Sequence, residues 1–396
     1  MLLEIILFLI LGIFFGTICG LIPGIHINLV GASLVFLSVS LLSDLNPIYL
    51  VVFIVSMSIS QTFIDFIPGI FLGCPDTDTA LSTLPGHQML KKGEGYEAVM
   101  LTSFGCLMGV FILILVSIPS IFVIPKVYDK IEPFVPYLLI AVSLSLVLSE
   151  KKKFNALFAF LICGILGFLV LNMTINSEMF LLPLLTGLFG SSMLLISIKN
   201  KTKVPRQKIT EPRIKTFKPI AGAIMSSPIS IFLPAIGSGQ VAIIGTSLVN
   251  LNNKGFLFLL GATNVLIMGF SFFALYTIDK TRTGSAVAIQ QILGNISANI
   301  FILILITILI TGIISFFITK FLVKYASQII ERINYTKLSI YILIFVTIII
   351  TIFSGFLGLI VFVASTLTGI YVISMDVKKT NMMGCLIVPT IILYLF

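Results

Sequence analysis

Apolar runs of about twenty residues, the length that spans a bilayer core as helix, follow one another from end to end of this chain. Polar, Pro/Gly-containing stretches break them at a few places. Hydrophobic residues make up 58% of the 396 and charged residues 10%, with a mean hydropathy of +1.19. A soluble domain of this size needs far more polar surface. The pattern predicts an all-α polytopic protein crossing the cell membrane many times. The first segment, Leu2 to Cys19, carries Glu4 where a signal peptide has a basic region, and it ends without a small-residue cleavage site. It reads as a retained transmembrane helix.

The net charge of +9 invites a nucleic-acid reading, but its placement argues against one. Lys199, Lys201, Lys203, Arg206, Lys208, Arg213, Lys215 and Lys218 share one loop with Glu211, and Lys151, Lys152 and Lys153 fill a short turn. Basic residues packed between apolar spans follow the positive-inside rule, and the long loop also suits anionic lipid headgroups. Both loops are assigned to the cytoplasm. Working outward puts 90–97 and 319–337 on that side and 125–133 on the other. Lys280 and Arg282 then fall outside, against the rule. Spans at 2–19, 29–45, 48–66, 98–124, 134–149, 154–173, 180–198, 219–236, 240–278 (broken), 284–318, 338–356, 357–375 and 380–396 predict about eleven to thirteen crossings.

The polar interruptions recur in order. Gly93-Glu94-Gly95-Tyr96 opens one long span and Lys280-Thr281-Arg282-Thr283-Gly284 opens another. Upstream of each lie a Pro/Gly break, a helix and a second polar interruption. The division expected is a first repeat over 1–150 with breaks at 20–28 and 65–87, linking helices and a basic cytoplasmic loop over 151–218, and a second repeat over 219–396 with breaks at 234–240 and 261–264. The two opening segments fall on opposite sides, so the repeats are expected to be inverted. Paired broken or re-entrant helices in inverted repeats point to a secondary transporter with its site near mid-membrane.

Each break has its own chemistry. Non-helical backbone inside hydrocarbon is tolerated only where protein or a water-filled cavity satisfies it. Pro23 removes an amide donor and Gly24 permits a tight turn; the helix start that follows exposes amides suited to an anion. His26 and Asn28 stand beside it, and His26 can carry charge or a proton. Asp65, Asp76 and Asp78 are carboxylates inside or beside apolar spans, which makes them functional candidates. With the hydroxyls of Thr77 and Thr79 they suit Na⁺, bound by Asp76 and Asp78, or a proton relay. The neutral counterparts are Gly237, Ser238, Gly239 and Gln240 for substrate oxygen atoms, and Thr263 and Asn264 for the cation. Simple readings compete with these: Asp76 as a helix cap, and the Gly/Ser residues as helix-packing positions. Gln291, Asn295 and Asn299 form an i,i+4 polar stripe, and His87 is expected at a re-entrant tip or headgroup level.

Enzymatic chemistry finds little support. Cys19, Cys74, Cys106, Cys163 and Cys385 lack pairing or metal spacing, and no phosphate-binding loop is present. A lipid-processing enzyme with His26 as base and Asp76 as orienter is the catalytic alternative. No cofactor is expected beyond Na⁺ or H⁺ as coupling ion.

The stretch from Pro75 through Pro85-Gly86-His87-Gln88-Met89-Leu90-Lys91-Lys92-Gly93-Glu94-Gly95-Tyr96-Glu97-Ala98, together with Gly20-Leu21-Ile22-Pro23-Gly24 and Pro234 to Gln240, resembles the TctA family. That family is the large membrane subunit of tripartite tricarboxylate transporters, and the likeness is strongest to its shorter archaeal relatives. The resemblance implies two inverted halves and cation-coupled uptake of small carboxylates. It also implies a binding protein and a small membrane subunit as partners, beside membrane lipids and the anionic substrate; a homodimer is left open. Ala235 replaces the usual Gly of the second Pro-Gly turn. Asp76 and Asp78 stand where the family is largely Gly and Thr, and His26 and Asn28 depart from its Gly-rich continuation. A cation-coupled secondary active transporter of a small organic anion, such as a carboxylate, is the expectation. A flippase or transporter of a phosphate-bearing lipid carrier is the alternative.

Overall fold

The computed structural model describes residues 2–22, 45–71, 83–148, 150–173, 178–199, 205–213, 215–232, 237–330, 335–377 and 379–395, and their regular structure is helical throughout. In chain order the helices are α1 (Leu2–Leu21), α2 (Pro47–Ile64), α3 (Phe66–Phe71), α4 (Thr83–Lys91), α5 (Gly95–Ile131), α6 (Val135–Leu148), α7 (Lys153–Leu171), α8 (Glu178–Leu185) and α9 (Ser192–Lys199). There follow α10 (Phe217–Ser226), α11 (Ile229–Phe232), α12 (Ser238–Val249), α13 (Asn253–Ile278), α14 (Gly284–Leu293), α15 (Ala298–Ile329), α16 (Tyr335–Ser374) and α17 (Gly384–Leu395). Among the described residues, seven helical segments are long and apolar enough to cross a membrane. Shorter apolar helices such as Phe217–Phe232 and Ser238–Val249 accompany them. This is a multi-pass membrane protein.

Local sequence explains where the central helices start and stop. Asn46 caps α2 by accepting from the Ile48 amide at 3.0 Å, with Pro47 as first helical residue. Four residues before Pro68 stands Ile64, whose carbonyl finds no N–H on the proline ring, and α2 ends there, one residue before Asp65. Asn252 caps α13 through the Gly255 amide at 2.8 Å, and Asp279 closes it in the left-handed region at φ 53°. Both central helices carry no charged residue through their middles and are apolar on most faces because they are enclosed nearly all round. The α2–α3 span is fully buried, whereas α5 keeps Leu115, Ile118 and Phe122 turned outward to the lipid.

Small residues bring these helices into contact. A Cβ on Gly12 or Gly16 of α1 would overlap backbone of α2, and one on Gly20 would reach 2.9 Å from Ile64. On α5, a Cβ at Gly105 would overlap the Phe258 carbonyl, and one at Gly261 of α13 would overlap the Thr102 carbonyl. Helices in lipid gain little from hydrophobic exclusion, so such close backbone approach is what holds them together. α13 packs mainly along α5, and α2 packs along α1 and α15.

Packing forms two large cores, or bodies, each assembled from segments far apart in the chain. One core joins residues of α2–α5 with residues of α10–α15. The second joins α6–α8 with α16 and α17, and takes in Val241 of α12 and Ile267 of α13. A π-helical turn over Thr186–Ser191 seats against α16, where the Ser191 and Thr366 hydroxyls lie 2.6 Å apart.

Several expected boundaries move. Residues 261–264 are not an interruption; they run inside α13, fully helical and buried. Gly261 serves close packing rather than a break. The expected span 284–318 is two helices, because Gly294 turns with φ 66° and Ser297 caps a new start through the Ile300 amide at 3.4 Å. Gln291, Asn295 and Asn299 therefore share no continuous helix face. The expected loop 319–337 is helix as far as Ile329. The boundary expected at 356/357 appears as a kink at Gly355, φ 61° and ψ −159°.

Candidate functional site

The end of α2 is where polar groups of both halves of the chain converge. A polar run, Ser56, Ser58, Ser60, Gln61, Thr62 and Asp65, lies buried along this helix. Asp65 is 7% exposed, keeps its amide on the Gln61 carbonyl at 3.0 Å, and its backbone carbonyl accepts from the Gly69 amide at 3.2 Å. One turn earlier, the Thr62 carbonyl accepts from the Asn264 side-chain amide of α13 at 3.4 Å and from the Cys106 thiol of α5 at 3.5 Å. Beside Asn264, the Thr263 hydroxyl donates to the carbonyl of Leu260 at 2.9 Å or to that of Ser238 at 3.3 Å, at the start of α12. A carbonyl in the last turn of α2, two side chains of α13 and the first turn of α12 thus form one contiguous polar junction.

The first turn of α12 has the features of a ligand-facing helix start. Gly237, extended at φ −83° and ψ 175°, precedes it and offers no side chain to cap it. The leading amides of a helix have no acceptor within the helix, and they carry the positive end of its dipole. Gln240 is fully buried, and among the described residues neither its amide nitrogen nor its amide oxygen has a hydrogen-bond partner. A buried, unpaired amide costs about 1–3 kcal/mol. Such a group calls for an explanation, an ordered water or a bound ion among them. The next residue, Val241, packs into the second core, so Gln240 sits where the two bodies meet.

The depth of the junction follows from an ion pair at one end. Glu97, in the first turn of α5, meets Lys254, in the first turn of α13, with Oε1 and Nζ 2.6 Å apart. Cys106 lies nine residues beyond Glu97 and Asn264 ten beyond Lys254. At 1.5 Å per residue that is roughly 15 Å, about half of a bilayer's hydrocarbon thickness. At the far end of α5, Tyr128 receives a hydrogen bond from the Arg282 guanidinium at 3.1 Å. The segments Gly93–Tyr96 and Lys280–Gly284 therefore lie at opposite ends of the α5–α13 pair.

Of the residues singled out in the sequence, Asp65, Ser238, Gln240, Thr263 and Asn264 are brought into or beside this junction, with Gly237 and Gly239 in the same turn. Pro23, Gly24, His26, Asn28, Asp76, Thr77, Asp78 and Thr79 lie outside the described residues. His87, expected at a re-entrant tip or headgroup level, is 4% exposed, with Nδ1 3.3 Å from the Ile70 carbonyl, joining α4 to α3. Among the described residues, no three His, Cys, Asp or Glu side chains come together as a metal-binding group. Sequence reasoning missed Thr62, Cys106 and the Glu97–Lys254 pair. The signal for the first was visible as a Ser-x-Ser-x-Ser-Gln-Thr run inside a span.

The basic loop also has a defined seat. The Gln207 side chain accepts from the Gly95 amide at 2.8 Å and donates to the Leu90 carbonyl at 3.1 Å. Gly93, at φ 79°, accepts from the Lys208 amide at 2.8 Å, and a Cβ there would come 2.6 Å from the Arg206 carbonyl. The Gly-Glu-Gly signature is thus a docking edge for residues 206–208.

A multi-pass helical fold with a polar junction buried between its two halves defines the class: an integral membrane protein. The chain matches the model of the tripartite tricarboxylate transporter TctA family over residues 6–384, and it belongs to that family. It is a member of a family of transporters rather than of enzymes. A protein of Methanocaldococcus jannaschii described as uncharacterised is 35% identical over 400 residues, covering 98% of this chain and 99% of the relative. No solved structure matches the chain.

Proposed function

We propose that the chain is a cation-coupled secondary active transporter of a small organic anion, a carboxylate being the first candidate, with its site at the junction of α2, α12 and α13. Family membership supports transport in general; the observation that carries the finer reading is Gln240, buried at the start of α12 without a partner among the described residues. An anionic group at that helix start would gain the dipole and the leading amides, and Gln240 would donate to one of its oxygen atoms. The cation would be held on the first-half side, by Asp65 with Asp76 and Asp78, so that two carboxylates more would not repel the substrate. Na⁺ and H⁺ are the coupling ions to test.

The alternating step in this reading is a movement of the first body against the second, with α12 at their border. Inverted repeats fit the opposite placement of the two opening segments and the crossed packing, in which α13 lies along α5 of the other half and α2 along α15. The seven long helices, joined by shorter ones near the breaks, fit eleven to thirteen crossings. A binding protein and a small membrane subunit complete the assembly as proposed partners.

The test is uptake into proteoliposomes, with Na⁺ and pH gradients varied separately. Asp65→Asn and Asp76→Asn should each abolish gradient-driven uptake while substrate still raises the melting temperature. Gradient-driven flux equal to the parent's in both variants rejects the coupling assignment.

A further inference from the structure

A groove of about 360 Å³ opens between α5, α10–α11 and α13, lined by Ile112, Val116, Val123, Ile224, Phe232 and Leu266 among others, with Ser120 its lone hydroxyl. It lies toward the Tyr128 end of α5, away from the Glu97–Lys254 pair. Its rim is lipid-facing: Val123 is 54% and Ile224 42% exposed, and Ile118, Phe122 and Met225 beside them are more exposed still. In a bilayer, such a rim meets acyl chains, and the apolar walls admit a chain rather than a polar headgroup.

A half-buried cation stands next to this groove, with no counterion among the described residues. Phe232, in the lining, stacks on Tyr128 with ring centroids 6.0 Å apart. The Arg282 guanidinium lies 5.8 Å from the Tyr128 ring centroid and donates to its hydroxyl at 3.1 Å. Arg282 is half-buried, and among the described residues its Nε has no hydrogen-bond partner and its guanidinium meets no carboxylate. Lys126, Lys130 and Lys280, all exposed, lie at the same end, where by sequence these and Arg282 make four basic residues against the three acidic residues Asp129, Glu132 and Asp279. A guanidinium at membrane-edge depth with a spare donor is suited to a phosphate oxygen. It also gives a physical role to basic residues that the positive-inside rule leaves unexplained on that side.

We infer that the groove and Arg282 together form a binding site for one anionic membrane phospholipid, an acyl chain lying against Val116, Ile224 and Leu266 and the headgroup phosphate on the guanidinium. Tyr128 and Phe232 connect the two parts as a continuous aromatic wall. The site is separate from the buried junction, and its occupancy can be read without any transport assay.

The experiment is native mass spectrometry of the purified full-length protein, delipidated and then offered phosphatidylglycerol or phosphatidylcholine with identical chains. The parent should retain phosphatidylglycerol over phosphatidylcholine by about fivefold, the order that one basic side chain at a membrane surface confers. Arg282→Gln should bring that ratio near parity, and Ile224→Trp, which fills the groove from its exposed rim, should lower retention of both lipids. Inorganic phosphate should not displace the bound lipid. An unchanged ratio in R282Q, undiminished retention in I224W, or displacement by inorganic phosphate overturns the site. The two variants test headgroup and chain independently, so a folding defect in one leaves the other decisive.

Discussion

The Asn264 side-chain amide donates to the Thr62 carbonyl across 3.4 Å, tying the middle of α13 to the last turn of α2. This bond spans the two halves of the chain at the depth where the candidate site lies. Asn264→Leu keeps the size and removes the donor. Loss of one buried hydrogen bond costs about 1–2 kcal/mol, which thermal unfolding in detergent will show. Uptake should fall much further than stability does. A folded N264L protein that transports at the parent's rate removes Asn264 from the site.

Gln240→Leu separates binding from folding. The parent amide is buried with both polar atoms unpaired among the described residues, so an apolar side chain of similar length relieves a desolvation cost of about 1–3 kcal/mol. The melting temperature of the empty variant is expected to hold or rise, while the substrate-induced shift disappears. A lower melting temperature with an intact ligand shift would assign Gln240 to structure alone.

Gly105 and Gly261 set the distance between α5 and α13, since a Cβ at either would overlap a carbonyl of the facing helix. Gly105→Ala and Gly261→Ala should each destabilise by about 1–3 kcal/mol, the usual range for overpacking. The two glycines meet different carbonyls, Phe258 and Thr102, along one helix–helix seam, so separating the helices relieves both and the double variant should cost less than the two singles added. Strict additivity in thermal unfolding would mean that the helices do not approach as described.

The Glu97–Lys254 pair pins the same two helices at their starts, and its side chains are 10% and 37% exposed. Its partial exposure places it between the surface and buried regimes, so Glu97→Gln or Lys254→Met should each cost about 1–2 kcal/mol. The double variant should recover part of that, because neither charge is then left alone. A double-mutant cycle in low and high salt measures the coupling; no coupling in either would reduce the pair to a surface contact.

Much of the site could be read in the sequence, unevenly. Asp65, Ser238, Gln240, Thr263 and Asn264 were visible as polar residues in apolar surroundings, and polarity at such depth is costly enough to be informative wherever it falls. The start of α12 could be read from Gly237 onward. The expected break at 261–264 was wrong because glycine carries two meanings in a membrane helix, turn or close contact, and only the neighbouring Thr102 carbonyl distinguishes them. The single span expected at 284–318 failed for a similar reason, since Gly294 interrupts an otherwise continuous hydropathic run.

By itself the sequence determined the membrane class, the helical content and the family, because bilayer solvation acts on each segment separately and leaves its mark in hydropathy. Tertiary structure alone decided which segments meet. The pairing of α2 with α15 and of α13 with α5, the convergence of Thr62 and Asn264, and the sharing of α12 between two cores depend on shape complementarity among helices of nearly equal hydropathy. Close packing at a handful of glycines selects among arrangements that hydropathy leaves equivalent.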